Sequence, residues 1–258
     1  SAALIPILLT KKKPPTFKKI AAMSLNELYK SSPFGIVSSF FYGTIQSALF
    51  TLLAVYATSM NFTIFEISIV TFLLAISGAI AQFPVGKISD FYDRRKVIIV
   101  STFSAAMFAV FTIFVSGQMY LPDGLATSKT WFYIFFIFFS FCSLPMFSLI
   151  LAHTNDYITK DKFVAAGAGL QFVFGLGAIS GPFLCSIFMN IVGSNGFFIF
   201  LFFFHSLIGV FGIYRMRIRP TIENPDSQFV AMPQTITPAG IELNPTTEPI
   251  EEPIKEEN

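Results

Sequence analysis

The sequence predicts an all-α polytopic membrane protein, on three observations. It has too few charges for a water-facing skin, it carries six long apolar stretches, and its basic residues gather on one side of them. Of 258 residues, 53% are hydrophobic and only 12% are charged, about half of the roughly 25% typical of a soluble domain. There are 34 phenylalanines and a single tryptophan. A soluble fold of this size would still need a charged surface, so lipid is the solvent over much of the chain. The net charge of +2 says little until the charges are mapped onto the spans.

Residues 1–9 are apolar, lack a charged leader region and a cleavage site, and read as the end of a preceding transmembrane helix rather than a signal peptide. A basic connector follows over 10–32. Crossing the hydrocarbon core takes roughly 20 apolar residues. Six such stretches are predicted at 33–58, 63–85, 97–117, 131–152, 163–192 and 196–214, forming one bundle over 33–219. A transmembrane barrel would alternate in polarity along short segments, whereas 132–139 and 197–204 are apolar on every side. The spans are joined by polar links at 60–61, 86–96, 118–130, 155–162 and 193–195. The tail over 220–258 is rich in Pro, Thr and Glu, has almost no aromatics, and is expected to be disordered.

Orientation follows from lysine and arginine near the span ends. One side takes Lys11, Lys12, Lys13, Lys18, Lys19 and Lys30 from the connector, then Lys87, Arg94, Arg95 and Lys96. It also takes Lys160, Lys162, Arg215, Arg217 and Arg219, while the short loops opposite offer only Lys129. The basic side is expected to be cytoplasmic, and an even number of spans brings connector and tail to that side together. The expected location is a cell membrane, the inner membrane in a bacterium. The sequon at Asn61 falls outside but against the membrane, and reads as a chance match.

Neither Cys142 nor Cys185 has metal-ligand spacing; both read as small apolar helix residues. No metal, cofactor or nucleic acid is expected. A membrane enzyme would need a nucleophile, metal ligands or paired acids at one depth, and no such set stands out. The informative polar residues lie elsewhere. Between the second and third spans, Gly86 would let the chain turn sharply. Asp90 can face a helix N-terminus, and Arg94, Arg95 and Lys96 can pair with Asp90 or Asp93 at headgroup level. An ordinary basic loop would show the same charges, and charge alone does not separate the two.

The pattern formed by Gly86, Asp90, Arg94 and Arg95 resembles the loop signature of the major facilitator superfamily, found between the second and third helices of each six-helix half. Phe91 stands where that family usually has a basic residue, and Asp93 where it usually has glycine. The glycine run in the fifth span, with Gly177, Gly181 and Pro182, is similar to a Gly-x-x-x-Gly-Pro pattern of facilitator helices. Gly177 and Gly181 share a face and permit close helix approach, while Pro182 can kink the helix; plain packing and a hinge both remain open. His153, Asn155 and Asp156 at the end of the fourth span, together with Thr237, Pro238 and Asn244 in the tail, resemble a poorly characterised bacterial branch. His153 and Asp156 are three apart, read either as an interfacial cap or as a proton relay. His205 reads as structural.

Polar residues within spans are functional candidates by default. Gln46 and Gln171 are the candidate cavity-lining amides, and Glu66, the carboxylate nearest the outer end of the second span, is the remaining cavity candidate. The resemblance implies the C-terminal, six-helix half of a major-facilitator-type bundle, built from inverted three-helix repeats. It also implies a missing N-terminal six-helix half as partner, with a small solute and a coupling proton or ion at the midplane between halves. On that reading the loop at Asp90 steadies one conformation and touches no substrate. A free-standing six-helix protein acting as a homodimeric transporter or an oligomeric channel is the alternative.

Overall fold

Each helix begins and ends where the chain can satisfy its exposed backbone groups. A computed structural model describes residues 22–118 and 125–218; the expected helix end at 1–9, most of the connector and the tail at 220–258 lie outside these residues. The elements are α1 (Leu25–Ser31), α2 (Pro33–Ser59), α3 (Ile64–Phe91), α4 (Arg94–Gln118), α5 (Leu125–Ser143), α6 (Met146–Asn155), α7 (Phe163–Val192) and α8 (Gly196–Ile218), with a 3-10 turn at Lys160–Lys162 before α7. No strand occurs among the described residues. Six spans are long and apolar enough to cross a membrane, α5 and α6 together making the fourth. Helices suit this solvent because they satisfy every backbone group internally.

Ser24 caps α1 by accepting the Glu27 amide at 3.2 Å. Ser32 then starts α2, accepting the Gly35 amide at 3.3 Å ahead of Pro33 at the first helical position. The turn into α3 uses Asn61 with φ of 58°, a left-handed conformation that asparagine tolerates. Thr63 and Glu66 then form a capping box, Thr63 Oγ1 accepting the Glu66 amide at 3.3 Å and Glu66 Oε2 the Thr63 amide at 2.8 Å.

Three features depart from the sequence-based expectations. The connector expected over 10–32 contains the short helix α1, fastened to the 3-10 turn by a Lys162–Glu27 ion pair at 2.6 Å. The link expected over 86–96 is nearly all helix: α3 continues to Phe91, Gly86 is buried within it, and the turn is confined to Tyr92 and Asp93. That turn is tight because Tyr92 is extended and Asp93 caps the next helix at once, its Oδ1 accepting the Arg95 amide at 3.0 Å. The fourth span, expected to be continuous, breaks between α5 and α6 at Leu144 and Pro145. Proline supplies no amide hydrogen and crowds the preceding turn. The phenol of Tyr42 on α2 donates to the Leu144 carbonyl there at 3.1 Å. Pro84 and Pro182, by contrast, sit inside the continuous helices α3 and α7.

The helices pack in a definite order. From one end to the other it runs α3, α5, α4, α8, α2, α7, each helix packed mainly on its neighbours, with α6 against α2 and α4. Exchanging first for fourth, second for fifth and third for sixth spans maps these pairings onto themselves. Helices three spans apart run in opposite directions, so this is the pattern of an inverted three-helix repeat. The two end helices, α3 and α7, are the least buried spans.

Two kinds of contact hold the arc. Where α2 meets α7 the backbones nearly touch: a Cβ on Gly177 would overlap the Phe40 carbonyl, and one on Gly181 the Thr44 carbonyl. Thr44 Oγ1 donates across this seam to the Gly177 carbonyl at 3.1 Å, and Ser39 Oγ to the Leu170 carbonyl at 2.8 Å. Close backbone approach of this sort replaces the hydrophobic drive that lipid does not supply. Between α2, α5 and α8 lies a phenylalanine core. Phe198 meets Tyr56, Phe132, Phe136 and Phe139 edge-on at centroid distances of 5.0 to 6.3 Å, the geometry aromatic quadrupoles favour.

Candidate functional site

At the basic end of the bundle, the turn before α4 brings three parts of the chain onto one guanidinium. Arg94, the first residue of α4, is buried, its side chain only 2% exposed. It donates to Asp90 Oδ1 in the last turns of α3 at 3.2 Å, to the Ala152 carbonyl of α6 at 3.3 Å, and to Asp156 just past α6. Asp156 is itself 8% exposed, Asp90 36%. A buried guanidinium is tolerable only when paired, and Arg94 meets that condition by tying α3, α4 and α6 into one unit. Arg95 faces Asp93 through two contacts, Nε to Oδ1 at 3.2 Å and Nη2 to Oδ2 at 3.0 Å. Asp93, standing where glycine is usual, is thus both cap and ion-pair partner.

Asp90, Asp93, Arg94, Arg95 and Asp156 therefore share one cluster, and Gly86 lies a turn below it inside α3. His153 and Asn155 are adjacent and buried in α6. The His153 ring packs edge-on between Phe34 at 5.2 Å and Tyr157 at 5.0 Å, while Asn155 Oδ1 has no hydrogen-bond partner among the described residues. Ser32, which starts α2, donates to Thr154 Oγ1 at 3.4 Å, so α2 is fastened to the same region.

The opposite end carries a smaller clamp. Lys129 of α5 pairs with Glu66 Oε1 at 2.6 Å and stands 5.0 Å from the Phe62 ring centre. Glu66 is at the tip of α3, occupied by its cap and its cation, and not among the groups at the middle of the bundle.

Gln46 and Gln171 are not brought together. Gln46 is 3% exposed in α2, and neither its Oε1 nor its Nε2 has a partner among the described residues. Gln171 is half-buried in α7 with its Oε1 unpaired. The Ser39–Leu170 and Thr44–Gly177 bonds set α2 parallel to α7. Gln171 therefore lies near the level of Ser39, and Gln46, seven residues on, about 10 Å deeper. Gly177, Gly181 and Pro182 occupy the α2–α7 seam described above. A polar bridge not foreseen from the sequence joins α8 to the break in the fourth span. His205 Nδ1 is 2.8 Å from the Leu201 carbonyl and so carries the proton, leaving Nε2 to accept from Ser143 Oγ at 2.9 Å. Pro145 was the one local signal that this level is irregular.

A helical membrane bundle of six spans with an inverted repeat and a charge cluster in the second-to-third turn is the architecture of a transporter-type half. The chain belongs to the major facilitator superfamily, whose family model matches residues 35–250. It is similar to the uncharacterized MFS-type transporter YfkF of Bacillus subtilis, 27% identical over 186 residues, covering 69% of this chain and 44% of that protein. It is also similar to the uncharacterized MFS-type transporter YE1530 of Yersinia enterocolitica, 24% identical over 199 residues, covering 77% and 46%. A third relative, the uncharacterized MFS-type transporter YcaD of Escherichia fergusonii, is 19% identical over 202 residues, covering 78% and 49%. The chain thus spans about half the length of these relatives. No solved structure matches it significantly. Membership in this family points to transport rather than catalysis, and places the six spans in a lipid bilayer.

Proposed function

We propose that the chain forms one half of a secondary active transporter that moves a small solute by alternating access, with a second six-helix half as its partner. The observation that carries this reading is the open arc. The end helices α3 and α7 are the least buried spans, and a second half packed along them would enclose a cavity at the midplane. Within that reading the Asp90–Arg94–Asp156 cluster is a conformational latch at the cytoplasmic end, with Gly86, Asp93 and Arg95 supporting the turn. His153 and Asn155 brace the end of α6 beneath it. Gly177, Gly181 and Pro182 hold α2 against α7. Gln171, half-exposed on α7, is the amide that meets solute or the water around it, and Gln46, enclosed within this half in the conformation described, reaches the cavity when α2 shifts during the cycle. Glu66 serves the outer end as a cap. A coupling proton or ion supplies the driving force that secondary active transport requires.

Gln46 supplies the test of the cavity. A buried amide with no partner costs roughly 1–3 kcal/mol, an arrangement that persists where function uses it. Gln46→Leu in the complete transporter is expected to raise its melting temperature while lowering apparent solute affinity by about tenfold, one lost hydrogen bond's worth. Unchanged affinity and rate would remove Gln46 from the solute path.

Topology is tested with cysteines on the exposed residues Asn61 and Thr159, in a background with Cys142 and Cys185 replaced by alanine. An impermeant maleimide applied to intact cells should label Asn61→Cys at once and Thr159→Cys only after permeabilisation. The reverse pattern would place the basic end outside.

A further inference from the structure

A groove of about 510 Å³ runs between α4 and α8 at the basic end, lined by Lys96, Ile99, Val100, Ile213, Met216 and Arg217. Its position and lining are separate from the latch and from the candidate cavity. The α4–α8 pair is at the middle of the packing order, furthest from the open ends at α3 and α7. Below the groove both helices show exposed apolar side chains, Phe103 and Met107 on α4 and Phe203 and Val210 on α8. Those stripes face acyl chains. Above them, Lys96 stands one turn before Val100 and Arg217 one turn after Ile213, so the two helices end their apolar stripes in a cation at the same level. Both side chains are exposed, and neither has a carboxylate partner among the described residues. Arg94 and Arg95, the two residues before Lys96, are by contrast paired with Asp90, Asp93 and Asp156.

We infer that this groove binds a two-chained anionic phospholipid from the leaflet at the basic end, its phosphate between Lys96 and Arg217 and its chains along the floor made by Ile99, Val100, Ile213 and Met216. The charges select a phosphate, and the apolar floor that runs on into the lipid-facing stripes selects a phosphate carrying acyl chains. Basic pockets between helices at this level are where acidic headgroups are held. The volume suits a headgroup with the first part of its chains and is of the size of small-molecule sites.

The test is native mass spectrometry of the purified protein, released from nanodiscs of equal parts phosphatidylglycerol and phosphatidylcholine. Each basic residue at an anionic surface strengthens attachment by about fivefold. The Lys96→Gln/Arg217→Gln double variant should therefore lose about twenty-five-fold in retained phosphatidylglycerol with an unchanged melting temperature. A control pair, Lys87→Gln/Arg215→Gln, removes the same charge at the same end but outside the groove and should retain the lipid. Equal loss in the control would mean diffuse attraction to the basic surface and would overturn the site. So would equal retention of phosphatidylcholine, displacement of the lipid by millimolar inorganic phosphate, or retention that appears only after removal of residues 221–258, which would make the acidic tail the occupant.

Discussion

Replacing Asp156 by asparagine is expected to destabilise the bundle by roughly 1.5–3 kcal/mol, because the buried Arg94 loses its buried carboxylate and keeps only the partly exposed Asp90. The size follows from burial. Arg94 and Asp156 are 2% and 8% exposed, so neither recovers its hydration when the other is lost. Asp90→Asn should cost under about 1 kcal/mol, because Asp90 is 36% exposed and a partly solvated pair is worth little. The functional order is expected to differ from the stability order. Asp90 joins α3 to α4 across the turn, and Asp90→Asn should slow transport in the complete protein while leaving its amount in the membrane unchanged. Thermal unfolding in detergent combined with an uptake rate reads both. Equal destabilisation by the two variants would show that Arg94 is not anchored through Asp156, and an unchanged rate in Asp90→Asn would leave Asp90 without a part in the latch.

The second large effect is expected at the α2–α7 seam. Gly177→Ala places a methyl group on the Phe40 carbonyl, and backbone on both sides leaves no rotamer that relieves it. The helices must separate, breaking the Thr44–Gly177 bond at 3.1 Å as they do, for a loss of roughly 1–3 kcal/mol from overpacking alone. Gly175→Ala, two residues away, meets nothing within 4 Å and should stabilise by about 0.4–1 kcal/mol by restricting the unfolded chain. Opposite signs from the same substitution in one helix would locate the close approach. A matching loss at both positions would mean that the change acts through helix geometry and not through the seam.

Much of this architecture was legible in the sequence because membranes impose coarse rules. Phenylalanine-rich stretches of the right length announce spans whatever their partners, and the gathering of Lys87, Arg94, Arg95 and Lys96 at one link announces a side. What pairs with what was not legible. Arg94 and Asp156 are 62 residues apart, and nothing in the spacing says that the turn after α3 reaches the end of α6. Gly86 looked like a turn residue because glycine serves turns and helix interiors alike; here it lies buried inside α3, and Tyr92 and Asp93 make the turn. A proline within a span does not by itself announce a break: Pro145 coincides with one, while Pro84 and Pro182 do not. The hydroxyl of Tyr42 on the Leu144 carbonyl and the His205–Ser143 bridge are tertiary supports that local sequence does not encode. Glu66 looked like a lone carboxylate in an apolar segment until Thr63 and Lys129 were placed beside it.

The most direct test of the proposed carrier mechanism is counterflow. Vesicles holding the complete transporter are preloaded with the unlabelled solute that most raises its melting temperature, then diluted into a trace of the same solute carrying a label. A carrier that exposes its site to one side at a time predicts transient accumulation of label above the equilibrium level, slowed in Asp90→Asn. Monotonic equilibration with no overshoot, in a preparation that passes the solute, would mean a continuous pore and would contradict alternating access.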